Sequence, residues 1–92
     1  MMENRSRFEI VRDILNICRK PSTKTRVMGV ANMSYTQREH YLRELTKRGL
    51  IECCDNRYLI TNYGKEFLEG LEIIIGMWDY QFVRAKISPF FS

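Results

Sequence analysis

Thr36, His40, Arg43 and Lys47 recur at intervals that place them on one side of an α-helix, with Gln37 beside them. The chemistry of this set is that of contact with a nucleic-acid duplex. A glutamine amide matches the donor and acceptor on the major-groove edge of adenine, and an arginine guanidinium matches the two acceptors of guanine. Threonine and histidine bond either bases or backbone, and lysine neutralises phosphate. Ser34, just before this run, completes the stretch. Lys24, Thr25 and Arg26 stand where a shorter helix would begin, and unpaired N–H groups at a helix start, together with two cations, form a seat for phosphate. Arg57 lies at the tip of two β-forming runs and would reach an adjacent phosphate or the minor groove. The same residue types also make ordinary solvated surface, and Lys24 and Arg26 fit that description equally well.

The elements that must position these residues follow from periodicity. Phe8, Val11, Leu15 and Cys18 recur at helical spacing, widened by Ile10, Ile14 and Ile17, which predicts a helix over residues 5–19 stopped by Pro21. Ser22 or Thr23 caps a second, short helix ending near Ala31, with Val27, Met28 and Ala31 as its core contacts. Asn32-Met33-Ser34 forms a tight turn, and Ser34 caps a third helix from Tyr35 to Arg48, which Gly49 ends. On that helix Tyr35, Tyr41, Leu42 and Leu45 share the inward side. Arg38 falls in the same apolar arc, where snorkelling of its long stem is the expected solution.

Leu50–Cys54 and Arg57–Ile60 are apolar or β-branched runs separated by Asp55-Asn56, a two-residue hairpin signal. Asp55 and Glu52 place negative charge near the hairpin tip and argue against a strong contact there. Thr61 caps a fourth helix from Asn62 to Ile87, which at the usual rise is about 39 Å long. Along it Phe67 or Leu68, Leu71, Ile75, Trp78 and Phe82 alternate at spacings of three and four, thickened by Ile74 and Met77. That face is wider than a small domain can cover, so Leu71, Ile74, Ile75, Trp78 and Phe82 are expected at a subunit interface. Gly70 and Gly76 either allow close approach of a partner or mark a bend.

Charge follows the same division. Residues 1–48 carry eleven Lys or Arg against five acids, a net +6, whereas residues 49–92 carry four against six, a net −2. A basic front half is the asymmetry expected when one part faces an anionic polymer. The composition, with 45% hydrophobic and 28% charged residues, is globular. The longest apolar run, Ile73 to Trp78, is too short to span a bilayer, so no membrane partner is expected. Three cysteines without a CxxC spacing, and a single histidine, support neither a disulfide framework nor a zinc site. A reduced, cytoplasmic setting is expected. No Ser-His-Asp set, phosphate-binding glycine loop or metal spacing is present to carry catalysis. The expectation is a non-enzyme with no cofactor and no evident small-molecule ligand.

The order helix, helix, helix, hairpin, helix is that of a winged helix, a mostly α (α+β) architecture whose second and third helices form a helix-turn-helix pair. The predicted division is residues 1–61 for the reading domain and 62–92 for a dimerisation helix with a short tail. The stretches Ser22 to Met28, Ala31 to Tyr35, Tyr41-Leu42 with Leu45, Gly49-Leu50-Ile51 and Tyr58 to Thr61 with Gly64 together resemble archaeal winged-helix proteins. The small chromatin-associated DNA-binding dimers of that group are the nearest in kind. The resemblance spans roughly residues 5–86 and implies a homodimer joined by an antiparallel coiled coil of the last helices, acting on double-stranded DNA at the nucleoid as a regulator or chromatin protein. Pro89, Phe90 and Phe91 fall outside that pattern. The rival expectation is a winged helix that serves only as a protein-interaction module, since fold does not fix function.

Overall fold

The computed structural model describes residues 7–31 and 33–87, with side chains described throughout except at 30, 31 and 78–87. Four helices and one hairpin follow in the order α1 (Arg7–Ile17), α2 (Lys24–Ala31), α3 (Tyr35–Lys47), β1 (Ile51–Cys54), β2 (Arg57–Ile60) and α4 (Asn62–Ile87). This is the mostly helical winged helix-turn-helix arrangement expected from the sequence.

Each boundary has a local cause. Thr23 Oγ1 accepts the Arg26 N–H at 3.2 Å, so Thr23 is the residue that caps α2. Ser22 is instead buried, and its hydroxyl donates to the carbonyls of Ile17 and Lys20 at 2.8 and 2.9 Å. At the start of α3, Ser34 Oγ accepts the Gln37 N–H while Gln37 Oε1 accepts the Ser34 N–H, a reciprocal capping box. Gly49 at φ +79° then turns the chain out of α3 into β1.

The hairpin pairs Ile51 with Ile60 and Cys54 with Arg57 in antiparallel register. Asp55 and Asn56 at its tip have φ of 54° and 62°, the two left-handed residues of a type I′ turn, whose twist matches that of the strands. Asp and Asn tolerate that conformation better than most residues. Ser22 and Tyr58 exchange backbone hydrogen bonds at 3.0 and 2.8 Å, tying the α1–α2 connection to β2 as a single extra bridge.

The core is built from Ile14, Leu15 and Cys18 of the first helical segment, Val27, Met33, Leu42, Leu45, Leu50, Ile51, Tyr58, Ile60 and Leu68. Burial pushes the Cys18 thiol up to about 11, so it packs as a neutral apolar group. Cys53 and Cys54 on β1 are both exposed. Phe8, expected on the inward stripe of α1, is 54% exposed. The side chain of Ala31, expected in the core, lies outside the described residues.

α4 is fixed at its start by Thr61. Its hydroxyl donates to the Gly49 carbonyl at 2.7 Å and accepts the Gly64 N–H at 2.9 Å. Gly64 is packed so tightly there that an added Cβ would land on the Leu50 carbonyl oxygen and on Ile60. Leu68, Leu71 and Ile75 then face inward and are buried, with α1 the chief element packed along this part of the helix.

Candidate nucleic-acid interface

α3 presents two different sides. Leu42 and Leu45 are buried, and Tyr41 packs against the core cluster beside them. At about 100° per residue, Thr36, Arg43 and Lys47 cluster on the opposite side, and all three are exposed. Among the described residues Arg43 and Lys47 enter no ion pair, so both cations remain available to an anion. His40 is exposed at the edge of this side. Its ring meets Tyr41 edge-on at 5.4 Å, and it borders a groove between α1, α3 and α4.

The remaining candidates differ in how free they are. Ser34 and Gln37 are exposed but hold each other in the capping box. Gln37 Oε1 already accepts from the Ser34 N–H and hydroxyl at 3.2 and 3.4 Å, so a bidentate contact with an adenine edge competes with the cap. Thr25 and Arg26 are exposed on the first turn of α2. Lys24 shares its ammonium with Glu39 at 3.3 Å. Arg57 stands exposed where β2 leaves the hairpin tip, separate from the α3 face.

Arg38 departs from expectation. Its guanidinium does not snorkel outward; the residue is only 7% exposed. It lies over the Tyr35 ring at 4.4 Å and donates to Glu39 Oε2 at 2.7 Å. Glu39, held by the hydrogen bond from Arg38 and then by Lys24, has its carboxyl pulled below the usual range. The charged chain Lys24–Glu39–Arg38 therefore links the start of α2 to the first turns of α3. Tyr35, expected on the buried side, is 64% exposed and serves as the platform under Arg38. Spacing put Arg38 in the apolar arc; its aromatic and carboxylate partners are three and one residues away, a pairing the snorkelling expectation did not include.

Comparison with known proteins gives this geometry a lineage. Residues 4–78 match the winged helix-turn-helix family. The chain belongs to that family. In winged helix-turn-helix terms, α2 and α3 are the helix-turn-helix pair, with α3 in the recognition position, and β1–β2 is the wing. The fold is similar to the crystal structure of Sso10a-2, a DNA-binding protein from Sulfolobus solfataricus. The two chains share 30% sequence identity with a TM-score of 0.80, over 96% of this chain and 98% of that one. No curated protein matches the chain.

The expected interface residues divide. Leu71 and Ile75 are buried by the chain itself, because α1 packs on the side of α4 that carries them. Ile74 is exposed, and so are Met77, placed with it on the apolar stripe, and Ile73, which the periodicity does not place there. The side chains of Trp78 and Phe82 lie outside the described residues. Among the described residues no group of His, Cys, Asp or Glu could hold a metal ion, and no helix is long and apolar enough to cross a membrane.

Proposed function

We propose that this winged helix binds double-stranded DNA as a homodimer, acting as a transcriptional regulator or chromatin-associated protein. The observation that carries the reading is the outward side of α3, where Thr36, Arg43 and Lys47 stand exposed and the two cations are unpaired among the described residues. The likeness to Sso10a-2, itself described as DNA-binding, supports it at 30% identity over nearly the whole chain. Thr36, Arg43 and Lys47 enter the major groove, with His40 at its margin. Thr25 and Arg26 at the start of α2 hold a phosphate, and Lys24 joins them only by giving up part of its contact with Glu39.

The dimer rests on α4. Residues 1–61, with the start of α4 packed on them through Leu68, Leu71 and Ile75, form the reading body, and the rest of residues 62–92 the pairing arm. Ile73, Ile74 and Met77 leave a strongly apolar exposed surface on the arm, which a second arm would cover. The net +6 of residues 1–48 favours an antiparallel pair, because that arrangement holds the two basic bodies at opposite ends. Reading heads on one face of a duplex would then stand about 34 Å apart, or a multiple of it.

Titration of a duplex with the protein across a salt series tests this. Retardation at low salt is expected, with log affinity falling linearly in log salt at about −0.9 per phosphate neutralised. Arg43→Ala with Lys47→Ala should leave the fold intact and flatten that slope by about two. No retardation at low salt would favour the protein-interaction reading, and an unchanged slope in the double variant would remove α3 from the interface.

A further inference from the structure

The groove between α1, α3 and α4 has a volume of about 760 Å³ and takes no part in the proposed reading surface except through His40 at its edge. Phe8, Tyr41, Tyr63, Phe67 and Leu71 line it. Phe8, Tyr63 and Phe67 are exposed around it, an unusual collection of uncovered rings for so small a body. At about 100° per residue, Tyr63, Phe67 and Ile74 fall within about 40° of one another on α4. The groove is therefore the near end of the same apolar line that continues along the arm.

The sequence holds one unassigned apolar segment that suits it, Ser88-Pro89-Phe90-Phe91-Ser92, which lies outside the described residues. The chain's own segment cannot reach. From Phe67 to Ile87 the helix rises about 30 Å, and five residues span at most about 18 Å even when fully extended. The segment of a second copy can. Among the side chains described, the last buried position on α4 is Ile75, and the helix continues from Gly76 to Ile87. Two such arms overlapping antiparallel over that length set Ile87 of one opposite Gly76 of the other. From there Phe67 is about 14 Å away along α4, within the span of residues 88–92.

We infer that residues 88–92 of a second copy occupy this groove, with Phe90 and Phe91 packed on Phe8, Tyr63 and Phe67. The inference rests on the antiparallel dimer proposed above. Each reading body would then be completed by the other chain, and the groove's α3 wall would be braced by the partner.

A photoreactive benzophenone amino acid replacing Phe91 in the full chain, mixed with an isotopically heavy unsubstituted copy, tests the inference directly. Sedimentation of the same sample reports the mass. The expected result is a dimer with light-to-heavy cross-links from position 91 to the start of α1 or to residues 63–71. A dimer whose cross-links fall within one chain, join the two tails or go elsewhere overturns the groove assignment and leaves pairing intact. A monomer overturns both. Independently, Phe90→Ala with Phe91→Ala should raise the dimer dissociation constant about a hundredfold or more, the scale of two aromatic side chains losing apolar cover. An unchanged constant would also overturn it.

Discussion

Leu68 and Ile74 sit six residues apart on one helix, yet Leu68 is fully buried and Ile74 is 52% exposed. The first belongs to a core closed by four helices and a hairpin. The second lies where α4 is leaving that core. The contrast separates two kinds of apolar residue that composition alone merges. Those up to Ile75 that face α1 stabilise the single chain by leaving water, and burial of a side chain of this size contributes about 1.5–3 kcal/mol. Those on the outer side of the arm contribute nothing of the sort until something covers them. A packed side and an apolar side that stays exposed at Ile73, Ile74 and Met77 are thus carried by one continuous helix.

The largest expected effect comes from breaking the closed side. Leu68→Ala should lower the unfolding free energy by about 3 kcal/mol, read from the urea midpoint at a fixed protein concentration. Ile74→Ala should cost far less at concentrations where the chain is monomeric, and equal costs would erase the distinction drawn here. Next, Ile74→Lys with Met77→Lys should shift the sedimentation mass toward the monomer while the helical circular dichroism of the body persists. A dimer that survives both charges would move the pairing surface off this stripe. The smallest effect sharpens the helix-turn-helix itself. Glu39 has its carboxyl held low by Arg38 and Lys24, so its contribution is present above the usual carboxylate range and is lost as pH falls through the lowered value. Glu39→Gln should flatten that acid limb of the stability profile, and an unaltered limb would show that the Lys24–Glu39–Arg38 chain is not part of what sets it.

Much of the fold was legible because its signals are local. Ser34 and Gln37 lie three apart, Asp55-Asn56 interrupts two β-forming runs, and Thr61 precedes a long periodic stretch; each acts within a few residues. α4 was anticipated from Asn62 to Ile87, the range over which it is described. What periodicity could not supply was which apolar neighbour covers which. Leu71 and Ile75 look like interface residues on a helical wheel and are claimed by α1, whereas Phe8 looks like core and borders a groove. The close fit of Gly64 against the Leu50 carbonyl depends on two elements fourteen residues apart meeting, and no local pattern announces it. For the candidate surface, the outward set Thr36, Arg43 and Lys47 followed from spacing, while the engagement of Gln37 and Lys24 with neighbours required three dimensions.

The Thr61 hydroxyl bridging Gly49 and Gly64, with Gly64 seated on the Leu50 carbonyl, ties the end of the third helix directly to the beginning of the fourth. In the proposed dimer this turns the arm into a ruler: the gap between the two reading heads is set by residue count rather than by bending. Seven residues inserted between Gly76 and Ile87 would add close to two full turns, preserve the pairing side and move the heads apart by about 10 Å. Because about three base pairs also turn a half-site by about 100° around the duplex, the lengthened dimer should lose affinity for a site that the original dimer reads on one face.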